Sequence, residues 1–136
     1  DNPSLDSHGI GRDPRIIILS SKPLSDNLKF LEKNYLIFQE LNEKPPKNNI
    51  KIILDNLFKE NVQSLLVEGG GKTITSFIES GYFDEIHEYI SPKKFNDGIP
   101  FYSGDFDTIR SSLDLVSEVS FNSDIKKTYK KKCLQG

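Results

Sequence analysis

Hydrophobic and polar positions along the chain predict short strands that alternate with helices. The runs "RIIILS" at residues 15–20 and "SLLVE" at residues 64–68 are apolar except at their ends. Such runs are typical of strands buried on both faces of a parallel sheet. "YLIFQEL" at residues 35–41 predicts another strand. The paired prolines of "NEKPPKNN", residues 42–49, predict a surface connection, because proline lacks an amide donor and breaks helices.

Apolar residues at helical spacing predict two helices. The first covers residues 49–61, and its apolar face is formed by Ile50, Ile53, Leu54, Leu57 and Phe58. The second covers residues 73–80, and its inward residues are Ile74, Phe77 and Ile78. Gly81 follows the second helix directly. We expect the helix to end there, because glycine is very common just beyond a helix C-terminus.

The C-terminal part of the chain reads as strands. "DEIHEYI" at residues 84–90 alternates apolar and polar positions, and the tail over residues 113–132 predicts two strands joined at "NSD", residues 122–124. A chain of 136 residues fits one domain. We therefore expect an α/β fold with a mostly parallel sheet, helices on both of its faces and a C-terminal antiparallel hairpin.

Composition narrows the class of protein. A net charge of −2 gives no support for nucleic-acid binding, and the lysine run over residues 126–132 is better explained by a solvated strand edge. No apolar stretch reaches the length of a membrane-spanning helix, so we expect no membrane partner. Cys133 is the only cysteine, which favours a cytoplasmic location and excludes a cysteine metal cluster. The start at "DNPSL" and the lack of methionine suggest a piece of a longer protein.

The segment "LLVEGGGKTITS", residues 65–76, carries the candidate chemistry. It fails the P-loop pattern, which needs glycine where Leu66 stands, and the dinucleotide fingerprint, which needs glycine where Ile74 stands. What remains is a predicted strand, three glycines and a helix N-terminus, an arrangement that binds anions such as phosphate through backbone N–H groups. Alternatively, the glycines only permit a tight turn. We expect φ above zero at Gly70, and we expect Glu68 to accept hydrogen bonds from a ligand's hydroxyl or amino groups.

Three segments, in this order, resemble a known family. They are "DNPSL" at residue 1, "PRIIILSS" at residue 14, and "VEGGG" at residue 67 with "SFIESGYFDEIHEYISPKKF" behind it. Together they resemble the C-terminal reductase domain of RibD, which has a dihydrofolate-reductase-like fold. The resemblance implies reduction of the ribose of 5-amino-6-(5-phosphoribosylamino)uracil, a phosphorylated pyrimidine, to a ribityl chain in riboflavin biosynthesis. It also implies NADPH as the cofactor and a homodimer.

The resemblance also implies roles for individual residues. The residues expected to contact the cofactor are Asp1, Ser20, Gly70, Gly71, Lys72, Thr73, Ile74, Thr75 and Ser76. Leu5 and Glu68 would contact the substrate, and His8 stands where many members have an arginine suited to the substrate phosphate. Lys22 is a candidate for the cofactor 2′-phosphate or, equally, part of a solvated turn. We take His87 as structural, and no residue stands out as a general acid.

The chain also departs from the family's pattern. The strand, helix and strand that precede "DNP" in the family are absent here, as is the zinc motif of a deaminase. We therefore expect residues 1–136 to be a single reductase-like domain that is incomplete at its N-terminus and inactive alone, with no metal site. The alternative is a non-catalytic nucleotide-binding or assembly module derived from such a domain.

Overall fold

The structure is a computed structural model that describes residues 5–20, 35–38, 46–94 and 97–132. The chain divides into two compact units, residues 1–49 and 50–136, and each is described by itself. In the first unit, strands β1 (Ile16–Leu19) and β2 (Tyr35–Phe38) pair in parallel, with Ile16 opposite Tyr35. The strands predicted around these two apolar runs are therefore present and pair in parallel. Burial on both faces is not seen in β1, where only Ile16 is buried.

Helix α1 (Pro46–Lys59) begins earlier than the sequence pattern predicts. Pro46 occupies the first helical position, where the amide N–H has no helical partner and its loss costs nothing, so treating the whole proline segment as irregular was wrong. Ile50, Ile53 and Leu57 are buried, but Phe58 is 77% exposed. Assigning Phe58 to the apolar face was therefore wrong, because it lies just outside the narrow stripe defined by the three buried residues. Of the helices that the structure describes, none is long and apolar enough to cross a bilayer.

Helix α2 (Gly71–Ser80) ends as predicted and begins two residues earlier. Gly81 takes the left-handed conformation with φ 73°, and its N–H donates to the Ile78 carbonyl over 3.1 Å. The strand predicted at residues 64–68 is not formed, and Leu66 is 76% exposed. A parallel strand exists only through hydrogen bonds to neighbouring strands, and no described strand pairs with this segment.

The second unit contains a three-stranded antiparallel sheet. Strand β3 (Glu85–Ile90) is followed by the short helix α3 (Phe106–Ser111), strand β4 (Leu113–Phe121) and strand β5 (Asp124–Lys131), with β5 in the middle. The β4–β5 hairpin is confirmed, and Asn122 in its turn has φ 54°, a conformation that asparagine tolerates. The α/β class is confirmed. The described strands form one parallel and two antiparallel pairs, so the mostly parallel sheet with helices on both faces stays a prediction.

The lysine run lies on the middle strand, not on an edge. Two lysines form cross-strand ion pairs, Lys127 with Glu118 at 3.2 Å and Lys130 with Glu85 at 2.8 Å. The next two reach helix C-termini: Lys131 donates to the carbonyl of Gly81 after α2, and Lys132 donates to Ser111 of α3. Cations are favourable at helix C-termini. Four lysines of the run therefore have structural contacts within the chain.

Candidate functional site

The three glycines before α2 have different backbone conformations and surroundings. Gly69 has φ +145°, a conformation that side chains rarely adopt, whereas Gly70 is extended with φ −70°. The prediction of φ above zero at Gly70 was therefore wrong, and the turn depends on Gly69 instead. A side chain at Gly70 would meet nothing within 4 Å, so this face of the turn is open.

The space beside Gly71, in contrast, is filled by another part of the chain. A Cβ atom at this position would lie far inside van der Waals contact of the Pro100 carbonyl oxygen, with the Phe101 carbonyl oxygen 3.4 Å away. No side chain fits there. Packing against residues 100 and 101 therefore requires glycine at position 71, whether or not a ligand binds. At this one position, the structure supports the alternative that the glycines serve the fold alone.

The start of α2 presents backbone donors. Gly70 is the N-cap residue, and its carbonyl accepts from the N–H groups of Thr73 at 3.0 Å and Ile74 at 3.4 Å. Glycine has no side chain that could cap the N–H groups of Gly71 and Lys72, and among the described residues these two groups have no partner. Uncapped donors and the positive end of the helix dipole favour an anion at this point.

The side chains predicted to contact a cofactor from α2 differ in accessibility. Lys72 is exposed, and Thr73 and Ile74 are half-buried. Ser76 is half-buried and donates its hydroxyl proton to the Lys72 carbonyl at 2.9 Å. Thr75 is buried, and its hydroxyl is engaged with Ser103. The backbone of the turn and the Lys72 ammonium are therefore the groups most open to a ligand.

Glu68 stands immediately before the turn and is exposed. Its carboxylate has no hydrogen-bond or ion-pair partner among the described residues. Both carboxylate oxygens are thus available as acceptors beside the helix N-terminus. The assignment of Glu68 to substrate hydroxyls is compatible with this position and stays a prediction.

A segment that the sequence pattern did not single out covers one side of the turn. We call residues 99–105 the strap. Ser103 in the strap donates its backbone N–H to the Thr75 hydroxyl at 3.0 Å, and the Thr75 hydroxyl donates to the Ser103 hydroxyl at 3.3 Å. Phe101 packs edge-to-face against Phe106 with ring centroids 4.8 Å apart. The only sequence signal for this arrangement is local, the turn-forming and aromatic residues of "DGIPFYSG".

Helix α3 follows the strap and is held at both of its ends. At its N-terminus, Asp105 accepts from the Asp107 N–H at 3.0 Å and from the Thr108 hydroxyl at 2.6 Å. These hydrogen bonds, that of Thr108 first, lower the pKa of Asp105 below its ordinary value of 3.8. In its last turn, Arg110 pairs with Glu88 of β3 at 2.7 Å. The sequence signal that could have revealed α3 is Asp105, since aspartate is a preferred N-cap residue.

Glu88 is the centre of a partly buried polar cluster. Besides Arg110, it accepts from the hydroxyl of Tyr129, a buried residue of β5, at 3.1 Å. Burial raises the pKa of Tyr129, and the hydrogen bond to Glu88 raises it further. Burial on its own would lower the pKa of Arg110, but the hydrogen bond and charge of Glu88 outweigh it and the pKa is raised. The cluster therefore stays in its neutral-tyrosine, ion-paired form and joins α3 to the sheet.

In the first unit, residues 6–13 form a tight loop around Asp13. Its carboxylate accepts from the backbone N–H and the hydroxyl of Ser7, both at 2.9 Å. Leu5 and His8 both have φ 49°, which is uncommon for residues other than glycine. The loop surrounds a shallow, open depression, whose lining residues are Asp6, Ser7, His8, Gly9, Gly11 and Asp13.

Two of the predicted substrate residues, Leu5 and His8, belong to this part of the chain. The His8 ring is 84% exposed, and its Nδ1 lies 3.2 Å from an oxygen of Asp6. A neighbouring carboxylate opposes a second anion at the same imidazole, so the geometry favours a weaker phosphate contact than an arginine would make. Ser20 is half-buried directly after β1, while Asp1 and Lys22 lie outside the described residues.

His87 lies in β3, opposite Thr128 of β5. Its Nε2 is 3.2 Å from a carboxylate oxygen of Glu85. Both partners sit on the same strand, two positions apart, and so project from the same face of the sheet. This contact joins two side chains on the surface of the sheet and indicates no role in binding or catalysis. The structural role of His87 stays a prediction.

Comparison with known proteins finds RibD proteins among the relatives of this chain. A sequence model of the RibD C-terminal domain matches residues 1–126. Riboflavin biosynthesis protein RibD of Aquifex aeolicus is 38% identical over 65 residues, which are 48% of this chain and 18% of that protein. Among solved structures, the bifunctional deaminase and 5-amino-6-(5-phosphoribosylamino)uracil reductase of Thermotoga maritima superposes with a TM-score of 0.79 at 26% identity. That alignment covers 97% of this chain and 42% of that one.

A second similar structure agrees on the fold. RibD of Acinetobacter baumannii gives a TM-score of 0.70 at 19% identity over 85% of this chain and 37% of its own. The chain thus spans less than half the length of these relatives. The family match covers residues 1–126 and includes the glycine turn, α2 and strands β3 and β4, but only the start of β5. The chain therefore belongs to the RibD C-terminal domain family.

Proposed function

We propose that the full-length protein reduces the ribosyl group of 5-amino-6-(5-phosphoribosylamino)uracil to the ribityl form, with NADPH as reductant, in riboflavin biosynthesis. Family membership over residues 1–126 supports this assignment. The observation that carries it is the turn before α2, where the backbone donors of Gly71 and Lys72 are uncapped and the Gly70 side is open. A dinucleotide's pyrophosphate is the kind of anion that such a helix start binds.

In the proposed reaction, the residues of this chain bind the cofactor and the substrate and orient them toward each other. NADPH supplies the hydride when bound, and the protein contributes position and electrostatics. The turn at residues 69–71 and the start of α2 would hold the pyrophosphate, and the Lys72 ammonium would add charge. Glu68 would accept hydrogen bonds from hydroxyls of the opened ribose. Ser20 and Asp1 complete the proposed cofactor contacts, as the family resemblance implies.

The remaining parts of the proposal rest on the family and on composition. Leu5 and His8 would contact the substrate, with His8 in place of the arginine that many members use for the phosphate. A homodimer is carried over from the family. A cytoplasmic location is supported by the single cysteine, Cys133, which fits a reducing compartment.

A second function is favoured by one observation. His8 is paired with Asp6 at 3.2 Å, which weakens the case for a substrate phosphate at this position. A protein that kept the cofactor turn but lost the phosphate contact would bind a nucleotide without turning over the pyrimidine. This is the non-catalytic nucleotide-binding or assembly module.

The decisive experiment follows NADPH oxidation by the full-length protein in the presence of the phosphoribosylaminouracil. Substrate-dependent loss of nicotinamide absorbance, with the ribityl product identified by mass spectrometry, supports the reductase. NADPH binding without turnover supports the non-catalytic module. If the protein neither binds NADPH nor turns over the pyrimidine, both functions are wrong.

A further inference from the structure

We propose that Thr75 is a positioning residue, not a cofactor contact: its hydroxyl clamps the strap against the start of α2 and so fixes the glycine turn in its binding geometry. The inference rests on the proposed function, since it concerns the same turn. It assigns a task to Ser103 and to the strap as a whole, and it changes the role that the family resemblance implies for Thr75.

The clamp consists of two hydrogen bonds that use the only proton of the Thr75 hydroxyl and one of its two acceptor lone pairs. The hydroxyl accepts the backbone N–H of Ser103 at 3.0 Å and donates its own proton to the Ser103 hydroxyl at 3.3 Å. Thr75 is only 9% exposed. A buried hydroxyl that already donates and accepts is poorly placed to bind a phosphate. Thr75 therefore affects ligand binding by holding the strap in place and not by contacting the ligand.

A second contact fixes the strap on the same side of the helix. The Pro100 carbonyl oxygen occupies the space that a side chain at Gly71 would need. Gly71 and Thr75 are four positions apart in α2 and therefore lie on the same face, one turn from each other. The strap thus crosses this face at two successive levels, with residues 100 and 101 at the lower and Ser103 at the upper.

The far end of the strap is anchored as well. Asp105 caps α3, and Arg110 ties α3 to Glu88 of β3 at 2.7 Å. The Arg110 guanidinium also lies 5.1 Å from the ring centre of Phe106, which in turn packs against Phe101. Since the α3 end is fixed to the sheet, loss of the Thr75 clamp frees mainly residues 99–103.

The position of the strap decides from which side an anion can approach. On the Gly71 side the strap carbonyls close the space and place partial negative charge beside the helix start. On the Gly70 side nothing lies within 4 Å of where a side chain would be. A released strap would let those carbonyls move toward the uncapped donors and compete with the ligand. The clamp keeps the donors open to the Gly70 side only.

The test uses the full-length protein with Thr75→Val, Thr75→Ser and Ser103→Ala. Amide hydrogen exchange of the strap is measured without cofactor, and NADPH affinity is measured by titration. Thr75→Val removes the acceptor and leaves the Ser103 N–H unsatisfied, a loss of the size that raises local opening about fivefold to a hundredfold. We expect faster exchange at residues 101–103, most of all at the Ser103 N–H, a Kd and KM for NADPH raised by at most the same factor, and a kcat changed less than twofold.

The two other variants are matched controls. Thr75→Ser keeps the hydroxyl and should restore both exchange and affinity to near the wild-type values. Ser103→Ala keeps the backbone N–H that makes the shorter bond but removes the acceptor of the Thr75 hydroxyl proton, so its exchange and affinity should lie between those of wild type and Thr75→Val. Thermal unfolding checks that each variant folds, and Thr75→Ala replaces Thr75→Val if the buried methyl group prevents folding.

The outcomes separate this inference from the proposed function. If wild type does not bind NADPH, the proposed function is wrong and the inference falls with it. If wild type binds NADPH and Thr75→Val weakens binding with unchanged strap exchange, Thr75 is a direct contact and the inference is wrong. Unchanged NADPH affinity in Thr75→Val, whatever its exchange, also overturns it.

Discussion

At the scale of single residues, adjacent glycines in one turn have separate physical reasons. Gly69 supplies a backbone angle, Gly70 supplies open space, and Gly71 avoids a carbonyl oxygen of the strap. The sequence predicted an anion-binding turn from the three together. It could not assign the separate tasks, because the constraint on Gly71 comes from Pro100, far along the chain.

The first prediction contrasts Gly70→Val with Gly71→Ala. Gly70→Val should fold normally, since φ is −70° and nothing lies near the new side chain, but it should abolish measurable NADPH binding by filling the open face. Gly71→Ala should destabilise the fold, because its methyl group collides with backbone that cannot rotate away. Thermal unfolding and NADPH titration on both variants check this. A stable Gly71→Ala protein with wild-type strap exchange would contradict the packing role of Gly71.

The second prediction concerns Glu68→Gln, which keeps the shape of the side chain and removes its charge. If Glu68 accepts hydrogen bonds from substrate hydroxyls, kcat/KM should fall about tenfold to a hundredfold, since a hydrogen bond to a charged group contributes about 1.5–3 kcal/mol. NADPH affinity should hardly change, or improve slightly as a negative charge near phosphates is lost. Glu79→Gln, an exposed glutamate later in α2, is the control. Weaker NADPH binding with intact substrate binding would reverse the assignment of Glu68.

At the scale of elements, the sequence pattern predicted correctly those helix ends and turns that are determined by interactions between neighbouring residues. The C-terminus of α2 follows from Gly81, and the β4–β5 hairpin follows from alternating strands around Asn122 and its neighbours. The start of α1 at Pro46 and the short helix α3 were missed. A six-residue helix has too few turns to show a period, so only its cap, Asp105, marks it in the sequence.

The third prediction tests that cap through pH. Because hydrogen bonds lower the pKa of Asp105 in the folded protein, its stabilising effect is complete above the ordinary value of 3.8 and is lost as the pH falls through the lower folded value. Asp105→Ala should therefore lower the unfolding temperature most at neutral pH, with a smaller difference from wild type in strong acid. Asp105→Asn, which keeps an acceptor, should lose less. Glu79→Ala is the control for removal of an exposed acid, and a pH-independent effect of Asp105→Ala would contradict the charged cap.

At the scale of the whole molecule, the sequence predicted local structure better than the pairing of segments that are distant along the chain. Strands β1 and β2 form and pair in parallel, but the predicted strand at residues 64–68 has no described partner strand and does not form. Its apolar run is the same kind of signal as that of β1. Pairing is a property of two segments, so one apolar run cannot reveal whether a neighbour is in place. The turn between the glycines and α2 was predicted because its signal lies in adjacent residues, and its binding of an anion stays a prediction.

The fourth prediction concerns the choice of cofactor by the full-length protein. The sequence predicts two segments that contact phosphates: the turn at residues 69–76, and residues 20–22, which include Lys22. A dinucleotide with a 2′-phosphate gains from a second anion contact, so NADPH should bind at least about tenfold more tightly than NADH, a difference of about 1.4 kcal/mol. The ratio should fall as salt is added, because exposed charge pairs are screened. Lys22→Gln should reduce the ratio while leaving NADH affinity unchanged, if that lysine contacts the 2′-phosphate; an unchanged ratio identifies residues 20–22 as a solvated turn. Equal affinities for NADPH and NADH at low salt would show that the protein does not recognise the 2′-phosphate at all.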